Sequence, residues 1–154
     1  AGPMDAVIAP VGGGGLMSGI CISAAALMPS IHLFGAEPVG ADDAARSLAT
    51  GVLVEQTNPD TICDGLLTSL GELTWPILQT HLKDIITVTD EEVVEAMRVL
   101  AFHTGMIVEP SGATPLAAVI KAKESHLAGI ERIGIILSGG NIASDDLPFD
   151  LPAQ

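Results

Sequence analysis

Four consecutive glycines at positions 12–15, in the segment PVGGGGLMSG, are the first feature of this sequence that could do chemistry. Glycine loses more conformational entropy on folding than any other residue, so a run of four indicates that bare backbone is required there. The run lies between an apolar, strand-like segment and a helical one, and the start of such a helix presents free N–H groups to an anion. No lysine or arginine precedes Arg46, so a phosphate bound here would be held by backbone donors. We therefore predict a phosphate-binding loop; the alternative is a tight turn without a ligand.

Two common phosphate-binding patterns can be tested against this loop. Gly14 and Gly19 have the glycine spacing of the nucleotide-binding P-loop, but Ile20 and Cys21 stand where that pattern requires lysine and a hydroxyl residue, which excludes an NTPase. The dinucleotide pattern G-x-G-x-x-G lacks its third glycine. Glu37 nevertheless ends the next apolar segment, where a ribose-binding carboxylate is expected, so a dinucleotide-binding module remains an alternative.

The elements that would position the loop alternate between strands and helices. The hydrophobic pattern predicts strands at 6–11, 31–38, 85–88, 106–108 and 132–137, and helices at 16–28, 41–50, 90–104, 113–123 and directly after Thr74 as N-cap. Thr89 followed by Glu92 is a capping box, and Gly105 is a typical helix stop. The alternation predicts an α/β fold with a doubly wound parallel sheet, in which ligands bind beyond the carboxyl ends of the strands.

Composition narrows the classes of function. A chain of 154 residues is enough for one domain, and its net charge of −13 disfavours binding to nucleic acid or to anionic lipid. No apolar run is long enough to span a membrane. The two cysteines, Cys21 and Cys63, are far apart and suit reduced thiols, which favours a cytoplasmic location. The four histidines show no metal-binding spacing, and we assign them no role.

Six ordered segments together resemble one family of enzymes. These segments are VGGGGLMSGI, GAEPVGADDAARS, ICDGL, SLGELTWPIL, IVEPSGATPLAAV and IILSGGN. Over residues 5–142 the chain resembles the fold-type II pyridoxal phosphate (PLP) enzymes, and within them the family of serine racemase and the threonine/serine ammonia-lyases. The resemblance implies that the fold is part of the large, cofactor-binding domain of such an enzyme.

The resemblance also implies which residues bind the cofactor. The phosphate cradle would be formed by Gly12, Gly13, Gly14 and Gly15 together with Leu16. Ser138 matches the serine that hydrogen-bonds the pyridine nitrogen, and a neutral partner there favours elimination and racemisation over transamination. Gly65 matches a backbone position that lines the cofactor. Glu109 matches a residue of the active-site wall, although its position would equally allow it to cap the helix that follows.

A divalent-cation site is implied by the same resemblance. Glu37, the carbonyl of Ala41 and Asp43 match the oxygen ligands of that site, and such ligands suit Mg²⁺ or Ca²⁺. The alternative is that these acidic residues only stabilise the positive end of the helix that begins here.

The Schiff-base lysine that PLP enzymes require is missing from the matched segments. The chain has only Lys83, Lys121 and Lys123, and none of them is at a position that fits the role. We therefore expect that residues 1–143 are the C-terminal part of the PLP-binding domain, that 144–154 are a loose tail, and that the N-terminal part and the small domain lie outside this sequence.

The implied activity is racemisation or β-elimination of L-serine or L-threonine by the intact enzyme. The family implies a homodimer when the enzyme is full length, whereas these 154 residues alone would be inactive. Two alternatives of other classes remain: a dinucleotide- or phosphate-ligand-binding module without catalysis, and a regulatory domain that uses only the cation site.

Overall fold

The computed structural model describes residues 4–151, which form an α/β fold around one parallel sheet. Its strands are β1 (Ala6–Pro10), β2 (His32–Pro38), β3 (Asp84–Val88) and β4 (Ile133–Ile135). The strand order is β3-β2-β1-β4, and every neighbouring pair is parallel. The predicted α/β class and parallel sheet are confirmed.

Five α-helices cover the two faces of this sheet. They are α1 (Gly15–Leu27), α2 (Asp43–Thr50), α3 (Trp75–His81), α4 (Asp90–Thr104) and α5 (Pro110–Ala122). Short 3₁₀ turns lie at Val39–Ala41, Asp64–Leu66 and Ser144–Asp146.

Alternate residues of β1 enter two different cores. Ala6 and Ile8 pack in the core that contains α4 and α5, whereas Val7 and Ala9 pack in the core that contains α1 and α3. All five residues of β1 are buried, which explains why this strand is continuously apolar. Because neighbouring strands are all parallel, the loops that follow their carboxyl ends lie at one end of the sheet.

Helix α4 forms as its sequence predicts. Glu92 N donates to Thr89 Oγ1 at 3.3 Å, and Thr89 N donates to Glu92 Oε2 at 2.8 Å, so both halves of the capping box are present. Gly105 ends the helix with a left-handed φ of 72°, a conformation that costs glycine little.

The segment after α4 differs from the prediction. Residues 106–108 do not form a strand; they form an irregular connection that leads to α5, which begins at Pro110 and not at 113. Glu109 N donates to Gly139 O at 3.2 Å, which ties this segment to the loop after β4. Short apolar runs look alike in strands and in buried loops, so periodicity could not separate the two. Proline fits the first turn of a helix, where no N–H is needed, which explains the earlier start.

The chain after residue 143 contacts α4. The ring of Phe149 meets Phe102 edge to face at a centroid distance of 6.0 Å, and the guanidinium of Arg98 lies 5.4 Å from the Phe149 ring centre. The loose tail at 144–154 stays a prediction, and its last three residues lie outside the described part of the chain. Within residues 4–151, no helix is long and apolar enough to cross a membrane.

Candidate active site

A cavity of about 530 Å³ lies beyond the carboxyl ends of β1 and β4. Four separate segments of the chain line it: the loop after β1, the 3₁₀ turn at Asp64–Leu66, the start of α5 and the loop after β4. All eight residues predicted to bind the cofactor lie on it, namely Gly12, Gly13, Gly14, Gly15, Leu16, Gly65, Glu109 and Ser138. The fold thus brings together residues that are up to 126 positions apart (138 − 12).

The four glycines lack side chains for two different reasons. Gly14 has a φ of 84°, and a Cβ there would lie 2.7 Å from Thr74 Oγ1, so the protein itself requires glycine. A Cβ on Gly12 would lie 3.2 Å from Gly65 O, which is also tight. Gly13 and Gly15 are different, because a Cβ on Gly13 would make only ordinary contacts and one on Gly15 would meet no described atom within 4 Å. Packing among residues 4–151 does not account for the bare backbone at these two positions.

The charge of the cavity lining suits an anion held by backbone groups. The first N–H groups of α1 have no acceptor within the helix, and they begin at the glycine loop. The described lining residues include no lysine or arginine, and Glu109 is the one charged side chain among them. Among the described lining groups, the N-terminus of α1 is therefore the one whose partial positive charge would attract an anion.

The three lysines all lie in the described part of the chain and away from this cavity. Lys121 Nζ donates to Thr87 O and to Glu92 Oε2, both at 3.0 Å, and Lys123 follows the C-terminal end of α5. Lys83 precedes β3, so it lies at the amino end of this strand, whereas the cavity lies at the carboxyl ends of β1 and β4. None of them lines the site.

Glu109 holds the loop after β4 instead of capping α5. It occupies the N-cap position of α5, but its side chain makes no cap hydrogen bond. Glu109 Oε2 accepts instead from Asn141 N at 3.0 Å, and a Cβ on Gly139 would collide with the Glu109 carboxylate. This geometry favours a role for Glu109 in the wall of the cavity over a role as the cap of α5. Ser138, on the same loop, is exposed at the cavity.

Ser111 is a lining residue that the sequence reasoning missed. Its hydroxyl accepts from Gly65 N at 2.9 Å and lies 3.4 Å from Asp64 Oδ1, so it fixes the 3₁₀ turn against the start of α5. The sequence places Ser111 directly after Glu109 and Pro110 in VEPSG, which could have marked it as a site residue. Serine is common in the first turn of a helix, however, so its type and position did not predict a hydrogen bond to a residue 46 positions away.

The predicted cation ligands Glu37 and Asp43 are both fully buried. Glu37 Oε1 accepts from Ala44 N at 3.2 Å and Oε2 from Ala45 N at 2.8 Å, so this carboxyl caps α2. Burial, which outweighs these two hydrogen bonds, raises the pKa of Glu37 from 4.5 to about 8, and the nearby Asp43 adds to the rise. Such a carboxyl has no exposed oxygen for a ribose hydroxyl, which argues against the dinucleotide alternative.

Asp43 has one satisfied oxygen and one unsatisfied oxygen. Oδ2 accepts from Leu70 N at 2.7 Å, whereas Oδ1 is buried without a hydrogen-bond partner among the described residues. Burial raises the pKa of Asp43 as well. Ala41 is buried in the 3₁₀ turn between the two acidic residues. Residues 4–151 hold no group of three or more His, Cys, Asp or Glu side chains that could bind a metal, so a cation here would need carbonyl oxygens or water.

The fold and this cavity define an open α/β protein with a cavity at the strand ends whose lining suits an anionic ligand. The chain belongs to the family of pyridoxal-phosphate dependent enzymes, whose model matches residues 1–139. It is 48% identical over 141 residues to serine racemase of Dictyostelium discoideum, covering 90% of this chain and 44% of that protein. It is 43% identical over 147 residues to beta-hydroxyaspartate dehydratase of Paracoccus denitrificans, covering 96% and 46%.

Solved structures agree with these relatives. The crystal structure of serine racemase from Dictyostelium discoideum matches with a TM-score of 0.86 at 46% identity, covering 93% of this chain and 46% of that one. The structure of maize serine racemase matches with a TM-score of 0.87 at 42% identity, covering 92% and 44%. The chain spans a little under half the length of the curated relatives above.

Proposed function

We propose that this chain forms the phosphate- and ring-binding part of a PLP enzyme that racemises or dehydrates serine, threonine or a related β-hydroxy amino acid. The observation that carries the proposal is the convergence of four glycines, the N-terminus of α1 and Ser138 on one cavity whose described lining contains no lysine or arginine. The names of the relatives, serine racemase and beta-hydroxyaspartate dehydratase among them, supply the class of reaction.

The residues present fit the cofactor. Gly13 and Gly15 leave space that contacts with the other described residues do not require, and the N–H groups of the loop can hold a phosphate dianion. Ser138 would offer a hydroxyl to the pyridine nitrogen, while Gly65 and Glu109 would bound the ring. When bound, PLP supplies an electron sink that makes the α-proton of an attached amino acid acidic. The chain's own contribution is to bind and orient the cofactor.

The lysine that carries the cofactor would come from outside these 154 residues. We propose this because Lys83, Lys121 and Lys123 all lie away from the cavity. The chain alone is then expected to bind PLP without turnover, and a homodimer in the cytoplasm stays a prediction for the intact enzyme.

Turnover tests the proposed reaction in the protein that carries this chain. With L-serine, D-serine or L-threonine and PLP, we expect inversion at the α-carbon, release of a keto acid, or both, measured by chiral chromatography and a coupled keto-acid assay. Ser138→Ala should lower kcat about tenfold, the effect of one lost hydrogen bond. Its melting temperature should stay the same, because Ser138 is exposed.

The matched control is Ser125→Ala, beyond the far end of α5, where the hydroxyl bonds only Ala122 O. That variant should keep full activity. Unchanged turnover in Ser138→Ala would remove Ser138 from the site. PLP binding with no reaction on any of the three amino acids would favour the non-catalytic module.

We further propose that Glu37, Asp43 and the carbonyl of Ala41 hold Mg²⁺ or Ca²⁺. The support is the buried Oδ1 of Asp43, which has no partner within the described residues, and the donor set of hard oxygens. The cation would neutralise two buried carboxylates and stabilise the turn between β2 and α2.

Asp43→Asn tests this cation site. In the parent protein, MgCl₂ or CaCl₂ at about 100 times its dissociation constant should add roughly 2.7 kcal/mol of stability, seen as a higher melting temperature. Asp43→Asn keeps an acceptor for Leu70 N but loses the charge, so the cation should have no effect on it. The control Asp42→Asn changes the neighbouring acid, which pairs with Arg46 at 2.7 Å, and should keep the shift. An equal shift in Asp43→Asn and the parent would contradict the assignment.

A further inference from the structure

Thr74 stands at a helix start but does not act as a cap. It is the N-cap residue of α3, yet its side chain makes no cap hydrogen bond. The second helical residue is Pro76, which has no N–H to offer. The sequence predicts Thr74 as an ordinary N-cap, and the structure leaves its hydroxyl free for another partner.

That partner is the glycine loop, 61 residues earlier in the chain. Thr74 Oγ1 lies 2.7 Å from Gly13 O and 3.0 Å from Gly71 O, and because a hydroxyl has one proton, the shorter contact is the stronger candidate for the hydrogen bond. Gly71 N also donates to Gly13 O, at 3.2 Å. Two donors from the segment 71–74 therefore hold one carbonyl of the loop.

The held carbonyl determines where the next N–H points. In a trans peptide the C=O of Gly13 and the N–H of Gly14 point in opposite directions. Gly14 lines the cavity, whereas Thr74 does not. Because Thr74 holds the Gly13 carbonyl pointing away from the cavity, the Gly14 N–H on the other side of the same peptide points toward the cavity. The same close approach of Thr74 explains why Gly14 cannot carry a Cβ.

The segment that carries Thr74 is itself anchored at its start. The buried carboxyl of Asp43 accepts from Leu70 N at 2.7 Å, and Trp75, which follows Thr74, is buried in the core with α1. Thr74 is thus fixed between a buried hydrogen bond and a core residue, which suits a group that must hold a peptide in one orientation.

We infer that Thr74 is a positioning residue of the phosphate cradle: its hydroxyl fixes the Gly13–Gly14 peptide so that an N–H faces the cofactor's phosphate. The inference rests on the proposed binding of PLP at this cavity. In this inference Thr74 does not contact the cofactor itself. Loss of its hydroxyl should therefore lower only the part of the PLP affinity that depends on the phosphate.

The test compares the affinities of PLP and of pyridoxal, which lacks the phosphate, in the protein that carries this chain. Thr74→Val keeps the shape and removes the hydroxyl, and it should weaken PLP binding about tenfold while leaving pyridoxal binding within about twofold. Thr74→Ser should restore the parent value. The matched control is Thr80→Val, in the same helix, where the hydroxyl donates to Pro76 O at 2.7 Å; this variant should bind both ligands as the parent does.

Three results would overturn the inference. PLP affinity in Thr74→Val equal to that of the parent would do so, as would equal losses for PLP and pyridoxal, which indicate a general structural role. A parent protein with no preference for PLP over pyridoxal would overturn the proposed function, and the inference with it. Should Thr74→Val fail to fold, Thr74→Ala removes the same hydroxyl with less branching and carries the same expectation.

Discussion

The free energy of unfolding is expected to fall as pH rises from about 4.5 to about 8 when no divalent cation is present. Burial raises the pKa of Glu37 to about 8 in the folded chain, whereas an exposed Glu in the unfolded chain titrates near 4.5. Between these values the folded state keeps a proton that the unfolded state has lost, so each rise in pH favours unfolding. The contribution is fully present below about 4.5 and is lost above about 8, a change on the order of 5 kcal/mol.

Glu37→Gln isolates this effect from the other acidic residues. Gln cannot ionise, so the stability of this variant should lack the decline that the parent shows across the window. Glu55→Gln makes the same chemical change at an exposed residue and should decline as the parent does. The measurement is urea unfolding at several pH values in EDTA. Parallel profiles for Glu37→Gln and the parent would contradict the assignment of the raised pKa. Added Mg²⁺ should reverse the decline, because a cation binds the ionised carboxyl.

Gly15→Ala is expected to weaken PLP binding strongly while leaving the fold intact. A Cβ at Gly15 meets no described atom within 4 Å, and alanine suits a helix better than glycine, so stability should be unchanged or up to about 1 kcal/mol higher. A methyl group in the phosphate cradle should cost roughly 2 kcal/mol of binding, or about 30-fold in the dissociation constant.

The control for this variant lies one helical turn further along α1. Gly19 also has no described atom within 4 Å of a Cβ, but it does not line the cavity. Gly19→Ala should gain similar stability and bind PLP like the parent. Thermal unfolding gives the stability of each variant, and fluorescence titration gives its affinity. If both variants bind PLP as the parent does, the loop does not hold the phosphate.

Local patterns in the sequence predicted much of the fold. The capping box of Thr89 and Glu92 and the stop at Gly105 gave α4 its correct bounds, because these signals act within one helical turn. The strand order could not be predicted in this way: β4 pairs with β1 although more than 120 residues separate them, for instance Ala6 from Ile133. Pairing at this distance depends on how the helices cover the sheet.

The site shows the same division between local and long-range signals. All eight predicted cofactor residues share one cavity. Seven of them lie after a strand or at the start of a helix at the carboxyl end of the sheet, and the eighth, Gly65, lies in a 3₁₀ turn that Ser111 ties to the start of α5. Ser111 and Thr74 were not predicted in their actual roles. Each bonds a backbone group 46 or 61 residues away, and a lone hydroxyl residue carries no pattern for such a contact.

The central claim is that this cavity binds PLP through its phosphate. The measurement that tests it most directly is the dissociation constant of PLP against that of pyridoxal, in the protein that carries this chain. An unpaired helix N-terminus and four glycines should make PLP bind at least about 100-fold more tightly than pyridoxal, because the phosphate contacts are charge-assisted hydrogen bonds. Equal affinities for the two ligands would contradict the claim.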